Sequence, residues 1–131
     1  MENDYREMPP ALSSAATGAL LRAFFRIADK WRLSDDQERE LLGLPSPAVL
    51  KQWKDGTLES APSNVQNRMI CILDIYLALH TLFPNSAHAD DWVHWPNKAP
   101  MFGGDTALGY MLQGNFDSLQ KVRHYLNAQC G

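Results

Sequence analysis

The stretch that decides the fold is WVHWPNKAPMFGGDTALGYMLQG, residues 92–114. It combines two tryptophans, a Trp-Pro-Asn step, a Gly-Gly pair and a short amphipathic segment. Pro96 fixes its own φ angle and favours an extended backbone at Trp95, so a helix arriving from the N-terminal side should end here. Aromatic and glycine clusters of this kind usually serve packing. The stretch therefore predicts a rigid elbow between helices, with a structural role rather than direct chemistry.

The second half of the stretch predicts a new helix. Gly103 and Gly104 permit backbone angles that other residues avoid. Asp105 or Thr106 can then cap a helix over residues 107–112.

A last helix is predicted over FDSLQKVRHYLNAQ, residues 116–129, after a turn that begins at Gly114. Its apolar side chains recur at helical spacing and form one stripe. The stripe contains Phe116, Leu119, Val122 or Arg123, and Leu126. Cys130 and Gly131 then follow as a free tail.

On the N-terminal side of the elbow, NVQNRMICILDIYLALHTLF predicts one long helix over residues 64–83. Ser63 and Gln66 offer a capping box at its start, and Pro84 ends it before a short helix that leads to Trp95. Apolar residues surround almost the whole helix, so it must be buried on more than one side. Part of its surface is a candidate contact for a second copy of the chain.

The N-terminal half predicts a helix-turn-helix. A first helix covers residues 13–32, and the capping box SDDQ, residues 34–37, opens a second helix that Gly43 ends. A third helix, PAVLKQWK, covers residues 47–54 and ends at Gly56. A helix, a tight turn and a short helix form the arrangement in which the second helix of the pair can enter the DNA major groove.

Six residues of the third helix and its cap are candidates for DNA contact, while Leu50 and Trp53 should pack inward. The candidates are Ser46, Pro47, Val49, Lys51, Gln52 and Lys54. Between Leu20 and Ser60, seven Lys or Arg stand against seven Asp or Glu, so the local net charge is zero. Because phosphate neutralisation supplies much of DNA affinity, a monomer should bind poorly and need dimerisation. A structural three-helix unit without DNA affinity is the alternative.

The composition is that of one compact domain or two small helical units. The chain has 131 residues, 45% hydrophobic and 21% charged, with a net charge of −3 that gives no global attraction for nucleic acid. It shows neither a signal peptide nor an apolar run long enough to cross a membrane, so a cytoplasmic protein is expected. Cys71 lies in an apolar helical run and Cys130 near the end, which predicts no structural disulfide.

Histidines and carboxylates gather before and within the elbow, and they could be imagined as metal ligands. They are His80, His88, Asp90, Asp91 and His94. Their spacing matches no ligand signature, and the Asp90-Asp91 pair is better interpreted as a cap of the short helix. The chain has no phosphate loop, no Gly-x-Ser-x-Gly motif and no Cys-His nucleophile pair. No catalysis, metal or cofactor is expected, and a metal-dependent enzyme would require stoichiometric metal.

In this order, the segments closely resemble the Xre/MbcA/ParS family of antitoxins over roughly residues 20–131. The strongest match is to the family's W-x-x-x-PN…GG-x-x-P-x-x-x-L-x-x-G pattern, which we interpret as a structural motif. It is carried by Trp92, Pro96, Asn97, Phe102, Gly103, Gly104, Leu108, Met111 and Gly114. Ala107 stands where the family often has proline, so a preferred first-turn helix residue is missing.

Residues 1–12 are polar, contain proline and lack periodicity, which predicts a flexible arm. The resemblance implies an all-α fold with an Xre-like helix-turn-helix unit, residues 13–60. This unit packs against a C-terminal toxin-binding and dimerisation domain, residues 61–131. The implied partner is a RES-domain toxin that degrades NAD, and the antitoxin's C-terminal end blocks its NAD pocket. The residues then expected at the toxin are Lys121, Arg123, His124, Asn127, Gln129, Cys130 and Gly131. The terminal carboxylate would meet cationic groups that otherwise hold NAD phosphates.

The sequence therefore predicts the antitoxin of a type II toxin-antitoxin system. It should also repress its own operon by binding operator DNA, as a homodimer or in a complex with the toxin. The rival interpretation is a stand-alone helix-turn-helix transcriptional regulator whose C-terminal domain only dimerises.

Overall fold

The protein folds into a set of packed α-helices. A computed structural model describes residues 14–56, 61–113 and 115–130. These ranges contain seven α-helices, one 3-10 turn and no β-strand, which confirms the predicted all-α class. None of the described helices combines the length and the apolar character needed to span a membrane. The predicted arm, residues 1–12, lies outside the described residues, as do Gly114 and Gly131.

The helices in chain order are α1 (Ser14–Lys30), α2 (Asp35–Leu42), α3 (Pro47–Lys54), α4 (Ser63–Leu82), α5 (Ser86–Asp91), α6 (Ala107–Met111) and α7 (Phe116–Cys130). The 3-10 turn, Trp92–His94, follows α5 directly. We call residues 95–106 the elbow loop.

Helices α1 to α3 form the predicted three-helix unit. The Ser34 hydroxyl accepts a hydrogen bond from the Gln37 N–H at 3.2 Å, and the Gln37 side chain accepts one from the Ser34 N–H at 2.9 Å. The predicted capping box is thus confirmed. Gly43 ends α2 with a φ of 70°, and both Leu50 and Trp53 of α3 are buried, again as predicted.

Helix α4 begins differently from the prediction. Ser63 is already its first residue, and Pro62 occupies the cap position without a side-chain hydrogen bond. The N–H of Gln66 bonds to the Pro62 carbonyl at 3.0 Å, and its side chain donates to the Ala61 carbonyl at 2.7 Å. The predicted Ser63–Gln66 capping box is wrong, because the backbone N–H and the side-chain amide of Gln66 both donate to carbonyls of the segment before the helix.

Helix α4 is the centre of the fold, and it contacts α1, α2, α5 and α7. Its burial on more than one side confirms the prediction, with Ile72, Ile75 and Leu79 wholly inaccessible to solvent. Two large apolar side chains remain exposed, Ile70 at 38% and Leu77 at 54%. These contacts also show the N-terminal unit packed directly against the C-terminal helices.

Three helix boundaries in the C-terminal half lie at the predicted places. Asn85 caps α5 by accepting a hydrogen bond from the His88 N–H at 3.1 Å. Trp95 is extended, with φ −89° and ψ 139°, so the helical segment stops before Pro96 as predicted. Thr106 caps α6 through its hydroxyl, which confirms one of the two predicted caps.

Candidate functional site

The turn between α2 and α3 lies against α4. Gly43 donates its N–H to the last turn of α2, and the Leu44 N–H bonds to the Arg39 carbonyl at 3.1 Å. The Arg68 guanidinium of α4 donates to the Leu41 carbonyl at 3.3 Å and lies directly over Gly43. Burial lowers the pKa of Arg68 from its ordinary value. The orientation of the helix-turn-helix is therefore fixed by the first turns of α4.

The predicted DNA-contacting residues do not share one environment. Pro47, Lys51 and Gln52 are exposed on α3, whereas Ser46 and Val49 are half-buried. Ser46 occupies the predicted cap position but makes no capping hydrogen bond through its side chain. The outward face of α3 thus presents mainly its first turn and the Lys51-Gln52 pair.

Lys54 points back toward the other two helices of the unit. Its ammonium lies 2.7 Å from an Asp35 carboxylate oxygen and 2.9 Å from one of Glu38, and 5.6 Å from the centre of the Phe25 ring. Burial acts to lower the pKa of Lys54, but the bonds and charges of Asp35 and Glu38 outweigh it, so the pKa is raised. Lys54 joins α3 to α1 and α2 in this structure.

The groove between α2 and α3 carries balanced charge. Its charged lining consists of Asp35, Asp36, Arg39, Lys51, Lys54 and Asp55. Lys51 also lies 3.8 Å from Asp55 on the same helix. Three acids against three bases leave this surface without net attraction for phosphates, in keeping with the zero charge of the whole unit.

The elbow loop is closed by Asn97. Its N–H donates to the Asp105 carbonyl and its carbonyl accepts from the Gly104 N–H, both at 2.9 Å. Its side-chain oxygen accepts from the Ala99 N–H at 2.9 Å. Gly103 and Gly104 have φ values of 58° and 91°, in the left-handed region that favours glycine. The Pro-Asn step and the Gly-Gly pair are thus the two ends of one hydrogen-bonded loop, which confirms the predicted elbow.

Phe102 lies at the centre of the elbow loop and is only 4% exposed. Its ring meets those of Trp92, Tyr110 and Tyr125 edge to face, with ring centres 5.5 to 6.0 Å apart. Tyr110 and Tyr125 were not among the predicted motif residues. Their aromatic side chains at helical positions were the available signal, but only the fold shows that both rings reach Phe102.

Helix α7 presents a wide apolar depression beside the elbow loop. The depression has a volume of about 500 Å³ and is lined by Met101, Gln120, Lys121, His124, Tyr125 and Ala128. Two of the predicted toxin-contacting residues, Lys121 and His124, lie on it. Lys121 pairs with Asp117 at 3.0 Å, and this hydrogen bond raises the pKa of Lys121. The surface combines apolar area with a few polar groups, which is typical of protein interfaces.

The other predicted toxin-contacting residues lie elsewhere on α7. Arg123 faces α4 and bonds to Asp74 at 3.3 Å. Asn127 is exposed, and Gln129 lines a separate depression with Phe83.

Cys130 does not belong to a free tail. It is the last residue of α7, and its thiol donates to the Ala78 carbonyl of α4 at 3.7 Å. The predicted end of α7 at residue 129 is wrong because this contact holds one more residue against α4.

The two cysteines differ in environment, and this difference gives a test. Burial raises the pKa of the Cys71 thiol to about 11, whereas Cys130 is exposed. At pH 8 a thiol reagent should label Cys130 and leave Cys71 unmodified in the folded chain, because the thiolate is the reacting form. Mass spectrometry of peptides from folded and guanidinium-unfolded protein measures the labelling. Equal labelling of both thiols before unfolding would contradict the buried placement of Cys71.

The predicted histidine and carboxylate group joins α4 and α5 to the turn that follows α1. His80 pairs with Asp90 at 2.8 Å, and Arg32 pairs with Asp91 at 3.0 Å. The His94 side chain donates to the carbonyl of Trp31, the first residue after α1. The prediction that the two aspartates cap α5 is wrong, since Asn85 caps this helix and the aspartates lie in its last turn, paired with His80 of α4 and with Arg32 of the turn after α1. Within the described ranges, no three His, Cys, Asp or Glu side chains come together as a metal-ion site.

Comparison with known proteins identifies both halves. The family model of the antitoxin Xre-like helix-turn-helix domain matches residues 10–68. That of the antitoxin Xre/MbcA/ParS C-terminal toxin-binding domain matches residues 78–131. A Sinorhizobium fredii protein, uncharacterized protein y4oB, is 44% identical over 133 residues, covering 100% of this chain and 99% of that protein. The predicted boundary between residues 60 and 61 stays a prediction.

Both matches describe an antitoxin family rather than an enzyme family, and a toxin-binding domain implies a cognate toxin as partner. With its helix-turn-helix followed by that domain, the chain belongs to the Xre/MbcA/ParS family of antitoxins.

Proposed function

We propose that this antitoxin acts in the cytoplasm on a RES-domain toxin that degrades NAD, and that it blocks the toxin's NAD pocket with its C-terminal end. We further propose that it represses its own operon through α2 and α3. Two copies, associated directly or through the toxin, would present two α3 helices to operator DNA.

The apolar depression on α7 is the observation that supports toxin binding by the C-terminal helix. It lies on the last helix, within one to three turns of the chain's end, and it includes Lys121 and His124. An apolar surface of this kind can bury against a partner, and the C-terminal end would then enter the partner's pocket. The terminal carboxylate would then meet the toxin's phosphate-binding cations.

Replacing Ala128 by aspartate should weaken toxin binding roughly thirtyfold or more, because an unpaired charge would be buried in the contact. Ala128 is exposed in the free chain, so folding should persist. Binding is measured by pull-down of the RES-type product of the neighbouring gene, and neutralisation by cellular NAD during co-expression. Asn64→Asp adds the same charge to an exposed site on α4 and serves as the matched control.

A variant with four residues added after Gly131 tests toxin binding separately from blocking of the toxin's NAD pocket. The extended chain should still bind the toxin but protect NAD less well, because the carboxylate would be displaced from the pocket. Full protection by this variant would contradict the placement of the chain's end. Absence of any complex with the native chain would favour the stand-alone regulator instead.

For DNA, the structure distinguishes the two lysines of α3. Lys51→Ala should lower the slope of log affinity against log salt by about one per bound copy, because one phosphate contact is lost. Lys54→Met should leave that slope unchanged and lower the free energy of unfolding by about 2 kcal/mol, since buried Glu38 loses its partner. Salt-dependent operator binding and urea unfolding measure the two effects. An equal loss of slope in both variants would show that Lys54 leaves Glu38 to bind DNA.

A further inference from the structure

A narrow apolar groove runs between α1 and α4, on the side of α4 that no described element covers. It has a volume of about 250 Å³, and Ile27, Leu73, Tyr76 and Leu77 are among its lining residues. Leu77 is the most exposed large apolar side chain of the described residues, at 54%, and Ile70 lies two turns before it on the same helix. An exposed apolar stripe of this kind usually has an occupant.

The rim of the groove on α1 is cationic. Arg26 and Lys30 line it directly, and Arg22 precedes Arg26 by one helical turn. All three side chains are exposed, and none has a carboxylate partner among the described residues. A partner for this groove should therefore be both apolar and acidic.

We propose that the N-terminal arm, residues 1–12, folds back along α1 and covers this groove. The arm carries Glu2, Asp4 and Glu7 against a single Arg6. Its larger apolar side chains include Tyr5 and Met8, and the groove has room for one or two such groups. The acids would face the α1 cations while these side chains cover Leu73 and Leu77.

The length of the arm fits this path. Helix α1 has 17 residues and is about 26 Å long. The nine residues 5–13 span about 30 Å when extended, so an arm that reverses just before Ser14 can place Tyr5 and Met8 beside α1 at the level of the groove, between Ala23 and Lys30. The region that matches the family's helix-turn-helix begins at residue 10, so residues 1–9 of the arm precede the matched domain.

A second copy of the chain is the competing occupant, and charge argues against it. A two-fold partner that packs α4 antiparallel on α4 would bring each α1 beside its symmetry mate. The rows of Arg22, Arg26 and Lys30 would then face one another, which is unfavourable. The arm has the opposite charge and is attached to the same helix.

Trypsin cleavage after Arg6 in the full chain tests the proposal. A docked arm should be cleaved slowly, and Leu77→Asp should speed cleavage about tenfold by placing a carboxylate in the groove. A second variant, Arg26→Glu combined with Lys30→Glu, should speed it as well, because it removes the attraction for the arm's acids. Asn67→Asp, an exposed position on α4, is the matched control and should leave the rate unchanged.

Sedimentation of the same proteins identifies any other occupant. Rapid cleavage after Arg6 in the native chain, with no effect of the groove variants, would overturn the proposal. A dimer that Leu77→Asp dissociates, and that deletion of residues 2–12 leaves intact, would assign the groove to a second copy. Neither readout involves the toxin or operator DNA, so failure here is distinct from failure of the proposed antitoxin function.

Discussion

Replacing Phe102 by alanine should lower the free energy of unfolding by about 3–5 kcal/mol. The ring is 4% exposed and contacts three other aromatic rings, two of which belong to α6 and α7. Its removal leaves a cavity between the elbow loop and α7, and the loss of edge-to-face pairs adds to the cost. Urea unfolding followed by tryptophan fluorescence measures the change, because Trp92 lies beside the ring.

Two control variants distinguish the loss of side-chain volume at Phe102 from the loss of the hydroxyl group on the neighbouring Tyr110. Phe102→Leu should lose less stability than Phe102→Ala because it fills part of the space. Tyr110→Phe keeps the neighbouring ring and should change stability by less than about 1 kcal/mol. A loss below about 1 kcal/mol for Phe102→Ala would show that the elbow loop does not depend on this ring.

The second large effect is expected at Gly43. Gly43→Ala should cost about 2–3 kcal/mol, because the residue has a φ of 70° and an added Cβ would lie 2.9 Å from the Arg68 Nε. The Arg68 guanidinium would have to move, and its hydrogen bond to the α2 end would be strained. Urea unfolding measures the total cost, and operator binding reports whether α3 has moved.

Gly56 supplies the matched control for this prediction. It has a φ of 89°, but no atom of the described residues lies within 4 Å of an added Cβ. Gly56→Ala should therefore show only the conformational cost of about 1 kcal/mol. If both substitutions cost the same, the contact between the turn and Arg68 contributes nothing to stability.

Local signals in the sequence were enough to predict most helix ends. Ser34 with Gln37, Gly43, Pro96 and Thr106 each act within a few residues, so their effects follow from spacing alone. The elbow was predictable for the same reason, since proline and glycine restrict or free the backbone wherever they occur.

Contacts between distant segments were not predictable in this way. Asp90 and Asp91 suit a helix cap, yet His80 and Arg32 hold them in the fold. Lys54 suits a DNA contact by position, yet Asp35 and Glu38 bind its ammonium. In each case a charged side chain found a partner 10 or more residues away, and spacing carries no information about such pairs.

The length of α4 has a consequence for chimeric antitoxins. The two family matches end at residue 68 and resume at residue 78, so the whole interval between them lies inside one continuous helix. Each residue of an α-helix advances the chain by about 100° around the axis and about 1.5 Å along it. If this toxin-binding domain were grafted onto another helix-turn-helix with one extra residue in the joining helix, the two domains would be rotated by about 100° relative to each other. The helical phase of α4, rather than a linker, therefore sets how the toxin-binding domain is oriented relative to the helix-turn-helix.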